Sequence, residues 1–426
     1  MNESAPVGNR WSRKRFVLIG LMALLLVLAL SLRWVSQPSQ VAGLILDQVG
    51  DALGLEITAG GASEYRLRGT PMIVLRDVIA RQPGANTPLL KAERIYLILP
   101  WSTLRARGAV LAATRIELDA PQLDLAALQA WQATRPPADT RIPTLSEGLK
   151  IIRGRIIGEG WSIDALNLQL PSLHPHQPLR ARLDGHYRSR SLRVPFDLVA
   201  ALTRPAAQAV LGVNGDITVE SADWRLPMQA GFSGRLHAGD DGIGLDAFKY
   251  GAGARHVTDQ RELPFVFGLA GPLRYRSGRF TIAPLGTAIR GEGSVPTIDA
   301  HGRLALTDRL RLQLDGELIA WPDTWPTLPP PIGQSTSPLP FALMYEGDRN
   351  LSDVTALQLQ RDATRFDGRF RLPEILEWME VMAADTPLPP LDGTLITPRM
   401  HISGAVLEGV EIEFDDGASE PEGAKP

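Results

Sequence analysis

The chain has 426 residues and a formal net charge of -3, with 44% apolar and 21% charged residues. That length suits two or three domain-sized units or one long repetitive β structure, and the charge balance gives no sign of the basic face a nucleic-acid partner needs. The absence of cysteine excludes disulfide staples, a thiol nucleophile and thiolate metal sites.

The first strong signal is the uncharged run Phe16 to Leu32, FVLIGLMALLLVLALSL. As a helix it covers roughly 25 Å, and Trp34 and Val35 extend it toward a membrane interface. Phe16, Val17, Leu18, Leu21, Leu24, Leu25, Leu28, Leu30, Leu32 and Trp34 are the expected anchor residues. Arg10, Arg13, Lys14 and Arg15 precede the run, and after Arg33 no basic residue follows until Arg66. The positive-inside rule then keeps the N-terminus cytoplasmic and sends the rest outward. A cleaved leader would carry a shorter apolar core. Its one nearby small-residue motif, Ala29-Leu30-Ser31, lies inside the run, so an uncleaved anchor is expected. Either way, the remaining residues are delivered across the inner membrane.

Residues 39–54 have helical spacing, with Ser39 as a cap and Gly54 as a stop. Their polar face carries Asp47 and Asp51 instead of lysines, which favours plugging a β core over resting on a membrane. RLRGTPMIVLRDVIA and PLLKAERIYLILP read as strands, WSTLRARG as a short helix, and AATRIELDAPQLDL as strand again. Asp124 opens a helical piece with Leu125, Leu128 and Trp131 on one face, and TRPPADTRIPT closes this part.

The next stretch alternates with period two. Leu166, Leu168 and Leu170 alternate with polar residues, as do Leu310, Leu312 and Leu314, and Leu357 and Leu359. This predicts antiparallel sheet with one apolar and one polar face. Asp184-Gly185, Asn214-Gly215, Asp241-Gly242, Asp315-Gly316, Asp367-Gly368 and Asp392-Gly393 read as tight hairpin turns. A Pro-rich link runs from Trp321 to Pro340, and PEILEWMEVMAAD forms a helix with Ile375, Trp378, Met379 and Met382 on one stripe. The expected fold is mainly β: a transmembrane helix, then a long twisted antiparallel sheet curling into a groove, with a few capping helices. The expected segments are 1–37 as basic start and anchor, 38–144 as an α+β unit, 145–325 as the β-groove, 338–414 as a C-terminal β segment with one helix, and 415–426 as a disordered acidic tail.

Little in the chain points to catalysis. His174 and His176 flank Pro175 without the three or four converging ligands of a metal site. No GxSxG, HExxH, P-loop or dinucleotide fingerprint occurs. GDDGIGLDAF, residues 239–248, faintly resembles one turn of a calcium-binding β-roll, but such sites need stacked copies, so a hairpin turn is expected. No catalytic residue, cofactor or metal ligand is assigned.

The order of features resembles a known family. A basic start and one membrane segment lead to a helix and then to a strand with Pro71, Ile73, Leu75, Asp77 and Val78. PLLKAERIYLILPWSTLRARGAVLAATRIELDAPQLDL follows, and LQLQRDATRFDGRFRL and LPPLDGTLITPRMHISGAVLEGVEIEF stand near the other end. These phrases resemble the AsmA-like proteins over residues 10–135 and 338–414. The resemblance implies an inner-membrane-anchored periplasmic β-groove, without catalytic residues, that moves phospholipid toward the outer membrane or serves outer-membrane assembly. Its partners would be membrane phospholipids and envelope proteins.

Physics leads the same way. A strand with one apolar face must hide it, under a second sheet or under acyl chains, and a buried methylene is worth ~0.8 kcal/mol. Leu166, Leu168, Leu170, Leu310, Leu312, Leu314, Leu357 and Leu359 are the candidate groove-lining residues. Fifteen to twenty strands at ~4.8 Å would make a path of roughly 70–95 Å, too short to cross the periplasm without a partner. The alternative is an anchored β-sandwich scaffold for envelope or secretion-machinery assembly, with the same signals but a closed core.

Overall fold

The computed structural model describes residues 50–415 apart from 51–52, 61–63, 67–68, 106–111, 135–141, 207, 240, 260, 326–327, 329, 336, 382–388 and 403–404. The expected anchor, its basic flank, most of the 39–54 helix, Met382 and the acidic tail lie outside the described residues. Among the described residues no helix is long and apolar enough to cross a membrane. The chain divides into two compact units, one ending at Leu173 and one beginning at His174.

In the first unit, β3 (Met72–Arg81) pairs with β1 (Glu56–Ala59), β2 (Glu64–Arg66) and β4 (Leu90–Ile98), all antiparallel. Ile73, Leu75 and Val78 are its buried residues, packed by Ile57, Ala59, Ile95 and Leu99. Leu75 and Val78 are three apart yet both buried, because Asp77 between them takes a φ of 50°. That extra residue is a bulge, which restores the apolar side chain to the core face. The short helix α1 (Trp101–Arg105) follows β4 as expected.

β6 (Arg115–Asp119) and β7 (Gln122–Asp124) pair with β4 on one side. They lead into α2 (Leu125–Ala133), where the Asp124 carboxylate accepts the Ala127 N–H at 2.9 Å and caps the helix as its sequence position predicts. The chain then returns through β9 (Leu149–Gly158), which lies parallel to both β6 and β7, and β10 (Trp161–Leu170) pairs antiparallel to β9. β5 (Ala112–Ala113) and β8 (Thr144–Leu145) form a small parallel pair. The antiparallel pattern expected from residue 145 onward thus gives way at β9, which is parallel to β6 and β7. A strand, a crossover carrying α2 and a returning strand make parallel neighbours, as such a crossover requires. Residues 145–173, expected to belong to the later β segment, fall within this unit.

The second unit is one unbroken antiparallel meander. Its strands are β11 (Leu179–Ser189), β12 (Arg193–Leu202), β13 (Val210–Glu220), β14 (Arg225–Gly239), β15 (Gly242–Val257), β16 (Glu262–Arg276) and β17 (Arg279–Gly291). They continue through β18 (Thr297–Leu306), β19 (Leu310–Ala320), β20 (Leu339–Gly347), β21 (Val354–Arg361), β22 (Thr364–Arg371), β23 (Leu391–Ile402) and β24 (Ala405–Phe414). Each pairs with the next in sequence. The ladder continues across the Pro-rich link, since β19 pairs directly with β20. The helix α3 (Leu372–Val381) joins β22 to β23, with Ile375 and Trp378 half-buried.

Five of the six expected turn dipeptides lie inside strands: Asp184-Gly185 in β11, Asn214-Gly215 in β13, Asp315-Gly316 in β19, Asp367-Gly368 in β22 and Asp392-Gly393 in β23. Only Asp241-Gly242 sits at a turn, where Gly242 faces Gly239. The mid-strand glycines have a steric reason. At Gly215, with φ of 152°, a Cβ would run into the Asp197 carbonyl, and at Gly316 it would strike Ala300 and the Asp299 carbonyl. A strand glycine marks a close backbone approach as readily as a turn.

The sheet also bends along a line of register shifts. They fall between Leu245 and Phe248 in β15, between Ala270 and Leu273 in β16, and between Ile282 and Leu285 in β17. Bulges bend and twist a strand. Here they stack in neighbouring strands, and Leu245, Phe248, Ile282 and Leu285 are the buried residues packed around them.

Candidate functional site

Register places a continuous apolar row across the second unit. Leu202 faces Leu211; Val213 faces Phe232, which faces Tyr250; Tyr250 faces Leu269. Further along, Leu273 faces Ile282, then Leu304, Leu312 and Tyr345 follow in register. Leu314, Leu343 and Leu357 make the adjacent row. Five of the eight candidate lining residues, Leu310, Leu312, Leu314, Leu357 and Leu359, thus share one face of one sheet. Leu166, Leu168 and Leu170 lie half-buried on β10 of the first unit.

The exposure of this face decides what it can do. In a closed sandwich, inward side chains are covered by a second sheet. Here Phe196, Leu198, Leu211, Val213, Phe232, Phe267, Leu269, Leu304, Leu312, Leu314, Leu343 and Leu357 are only half-buried. Apart from Tyr345 and the small Ala209, Ala230, Ala252 and Ala254, the buried apolar residues of the second unit gather at two places. One is the bulge line around Leu285. The other lies beside the Pro-rich link, where Leu318, Leu339, Leu359, Leu395 and Met400 are packed by Trp321, Trp325, Leu328 and Ile332.

The turns fall alternately on two rims. The link rim carries the turns around residues 221–224, 258–261, 292–296 and 321–338; the hairpin rim carries those around 203–209, 277–278, 307–309 and 348–353. On the link rim, Arg361 is 9% exposed and donates to the carbonyls of Ile332, Ser335 and Ser337 at 2.5–2.6 Å. Trp325 Nε1 donates to the Ser294 carbonyl at 3.0 Å, and its indole stands edge-on to Trp321. On the hairpin rim, by contrast, Ile243 (60%), Tyr275 (38%) and Phe280 (44%) are exposed.

The opposite face is polar but is not the uniform charged ladder that the alternation predicts. Cross-strand pairs do run along it. Arg182 grips Asp197 with both ends of its guanidinium and holds that carboxyl below the usual carboxylate range. Arg290 meets Asp299 at 2.6 Å, and Arg311 meets Glu346 at 2.7 Å. Such exposed pairs contribute little stability each and keep the face wet. Between them, over β13 to β16, lie Gly212, Gly231, Gly251 and Gly253. They floor two open depressions of about 760 and 600 Å3.

The 239–248 segment forms the β14–β15 hairpin end. His237 Nε2 lies 2.6 Å from Asp241 Oδ1, Arg274 Nε donates to Asp241 Oδ2 at 2.9 Å, and Arg274 also bonds Asp246. The His237 and Arg274 hydrogen bonds push the Asp241 carboxyl down to about 2. These carboxylates are already engaged by His237 of β14 and Arg274 of β16. Among the described residues no group of three His, Asp or Glu is placed to hold a metal ion.

Comparison with models of protein families, with curated proteins and with solved structures gives no match.

Proposed function

We propose that this chain is a non-enzymatic lipid-binding and lipid-transfer protein, held in the inner membrane by residues 16–34, with the bulk of the chain in the periplasm. In this reading the apolar face of the second unit is a groove for acyl chains. The observation that carries it is the incomplete burial of many of the large apolar side chains from Phe196 to Leu357 on that face, on both sides of the buried bulge line. Such a face left to water is a standing cost. A hydrocarbon chain laid on it gains ~0.8 kcal/mol per covered methylene, enough to hold a lipid with no specific polar contact. The inter-strand steps from β11 to β24, at ~4.8 Å each, give a path of roughly 60 Å, so the groove serves the inner-membrane side and hands lipid to a partner. The sequence resemblance to AsmA-like proteins supports the same reading.

Leu343 and the neighbouring Met344 provide the test. Both are apolar, but Leu343 lies on the apolar face, facing Leu314 and Leu357, whereas Met344 points the other way and is 59% exposed. A photo-crosslinking side chain at either position of the full-length protein in native membranes reports what touches it. Phospholipid adducts at 343 and none at 344 are expected. Equal labelling, or none at 343, would remove the lipid reading in favour of the anchored scaffold.

A further inference from the structure

The β16–β17 hairpin ends in Arg276-Ser277-Gly278-Arg279. Ser277 and Gly278 both have positive φ, 49° and 80°, as a two-residue turn requires. The register sets Arg276 directly opposite Arg279. Like charges directly opposed across a strand pair destabilise it. Four other arginines of this sheet are engaged: Arg274 by Asp241 and Asp246, Arg290 by Asp299, Arg303 by Gln313, Arg311 by Glu346. Arg276 and Arg279 are exposed and, among the described residues, neither makes an ion pair. With Ser277, Gly278, Thr307 and Asp308 they border an open depression of about 470 Å3. The single carboxylate there, Asp308, leaves the site net positive.

One residue further from the tip, the chemistry inverts. Tyr275 faces Phe280, with ring centroids 4.6 Å apart, and Ile243 faces Tyr275 on the other side. All three are exposed, and they begin the row that continues inward through Leu245, Leu273 and Ile282. The rim therefore carries cations on its polar side and rings on its apolar side, separated by a single hairpin tip. That is the amphipathic order of a phospholipid crossing an edge, with the phosphate outside and the glycerol and acyl root inside.

We propose that this hairpin tip is where phospholipid enters the groove, with Arg276 and Arg279 taking the headgroup phosphate and Ile243, Tyr275 and Phe280 taking the acyl root. The inference rests on the lipid reading above. Guanidinium groups suit phosphate because they donate in parallel pairs, and interfacial rings with basic residues are the side chains that sit at headgroup depth.

The full-length protein, reconstituted in phosphatidylcholine liposomes, is mixed with liposomes containing phosphatidylglycerol while a photo-crosslinker at position 343 reports arrival of that lipid. Arg276→Gln with Arg279→Gln should slow labelling at least fivefold while leaving the final extent unchanged. Arg276→Lys with Arg279→Lys, which keeps the charge, should recover most of the rate and exclude misfolding. A wild-type rate in the double glutamine variant overturns the entry site while leaving lipid binding intact. Absence of labelling at 343 in the unaltered protein defeats the groove as well. Suppression of labelling by millimolar inorganic phosphate, in the unaltered protein but not in the glutamine variant, identifies the bound group as phosphate. If only inorganic phosphate binds and the labelling rate ignores both arginines, the site is a free-anion site and the proposal fails.

Discussion

The two rims of the second unit are made from similar strands and finished in opposite ways. At the link rim the chain doubles back and lays Trp321, Trp325, Leu328 and Ile332 over the ends of β19, β20, β21 and β23. Leu339 there is 0% exposed and Leu395 1%. At the hairpin rim the tips of β15, β16 and β17 carry no such cover, and Ile243, Tyr275 and Phe280 stand in solvent. The difference comes from connection length. A two-residue turn such as Ser277-Gly278 has no atoms to spare for covering its neighbours, whereas the link from Trp321 to Pro338 can reach back across them. Burial is thus concentrated at the link rim and accessibility at the β15–β17 tips of the other, which is the division expected where one edge anchors and the other binds.

The largest effect should follow from hollowing the sealed rim. Leu339→Ala removes a fully enclosed side chain and should cost about 3 kcal/mol, read as a lowered urea midpoint of the full-length chain by tryptophan fluorescence. A cost below about 1 kcal/mol would mean the rim is not sealed. Next is Arg361→Met, which removes the guanidinium bonded to three link carbonyls. Ser335 and Ser337 can turn to water, so the loss should be smaller, about 2 kcal/mol. It should come with new protease cuts between residues 326 and 337. An intact link in that variant would show that the tryptophans hold it without the arginine.

The sequence announced the face but not the rims. Period two was enough to place Leu310, Leu312, Leu314, Leu357 and Leu359 together, because inside a regular strand the pattern fixes the side. Asp124 could be read as a cap because capping depends on three or four local residues. The bulges were hidden because they break the period that reveals strands. Leu75 with Val78, Leu245 with Phe248, and Ile282 with Leu285 are three apart, which is helical spacing on paper. In the first two, a non-glycine residue at positive φ before the second apolar one, Asp77 or Ala247, is the structural mark. The Asp-Gly pairs misled for a related reason. The same dipeptide that turns a hairpin also lets two backbones touch in mid-strand, and only the pairing partner distinguishes them. The engaged carboxylates of the 239–248 segment depend on Arg274, some thirty residues on in the chain and invisible to local reading. The opposed Arg276 and Arg279 become meaningful only when the register sets them face to face.

At the open rim the same kind of truncation should barely affect folding. Phe280→Ala loses one ring contact with Tyr275 and should lower stability by less than about 1 kcal/mol, in contrast to Leu339→Ala. Its effect should appear instead as slower lipid arrival at position 343. A stability loss matching Leu339→Ala would show that the rim is packed and would erase the contrast between the two edges.

The smallest effect belongs to acid. Asp241 is held down to about 2 by His237 and Arg274, from an ordinary value of 3.8. A carboxylate whose pKa is depressed on folding stabilises the fold above its ordinary value, and that contribution is lost as pH falls through the folded one. The window is therefore about pH 4 down to 2. Because the group is exposed, the response should be local. Amide hydrogen exchange at the β14–β15 tip should speed up across that window while the Leu339 region stays protected. Asp241→Asn should show the faster exchange already at neutral pH. Uniform acceleration at both rims would mean that the sheet responds to acid as a whole and that its edges are not independent.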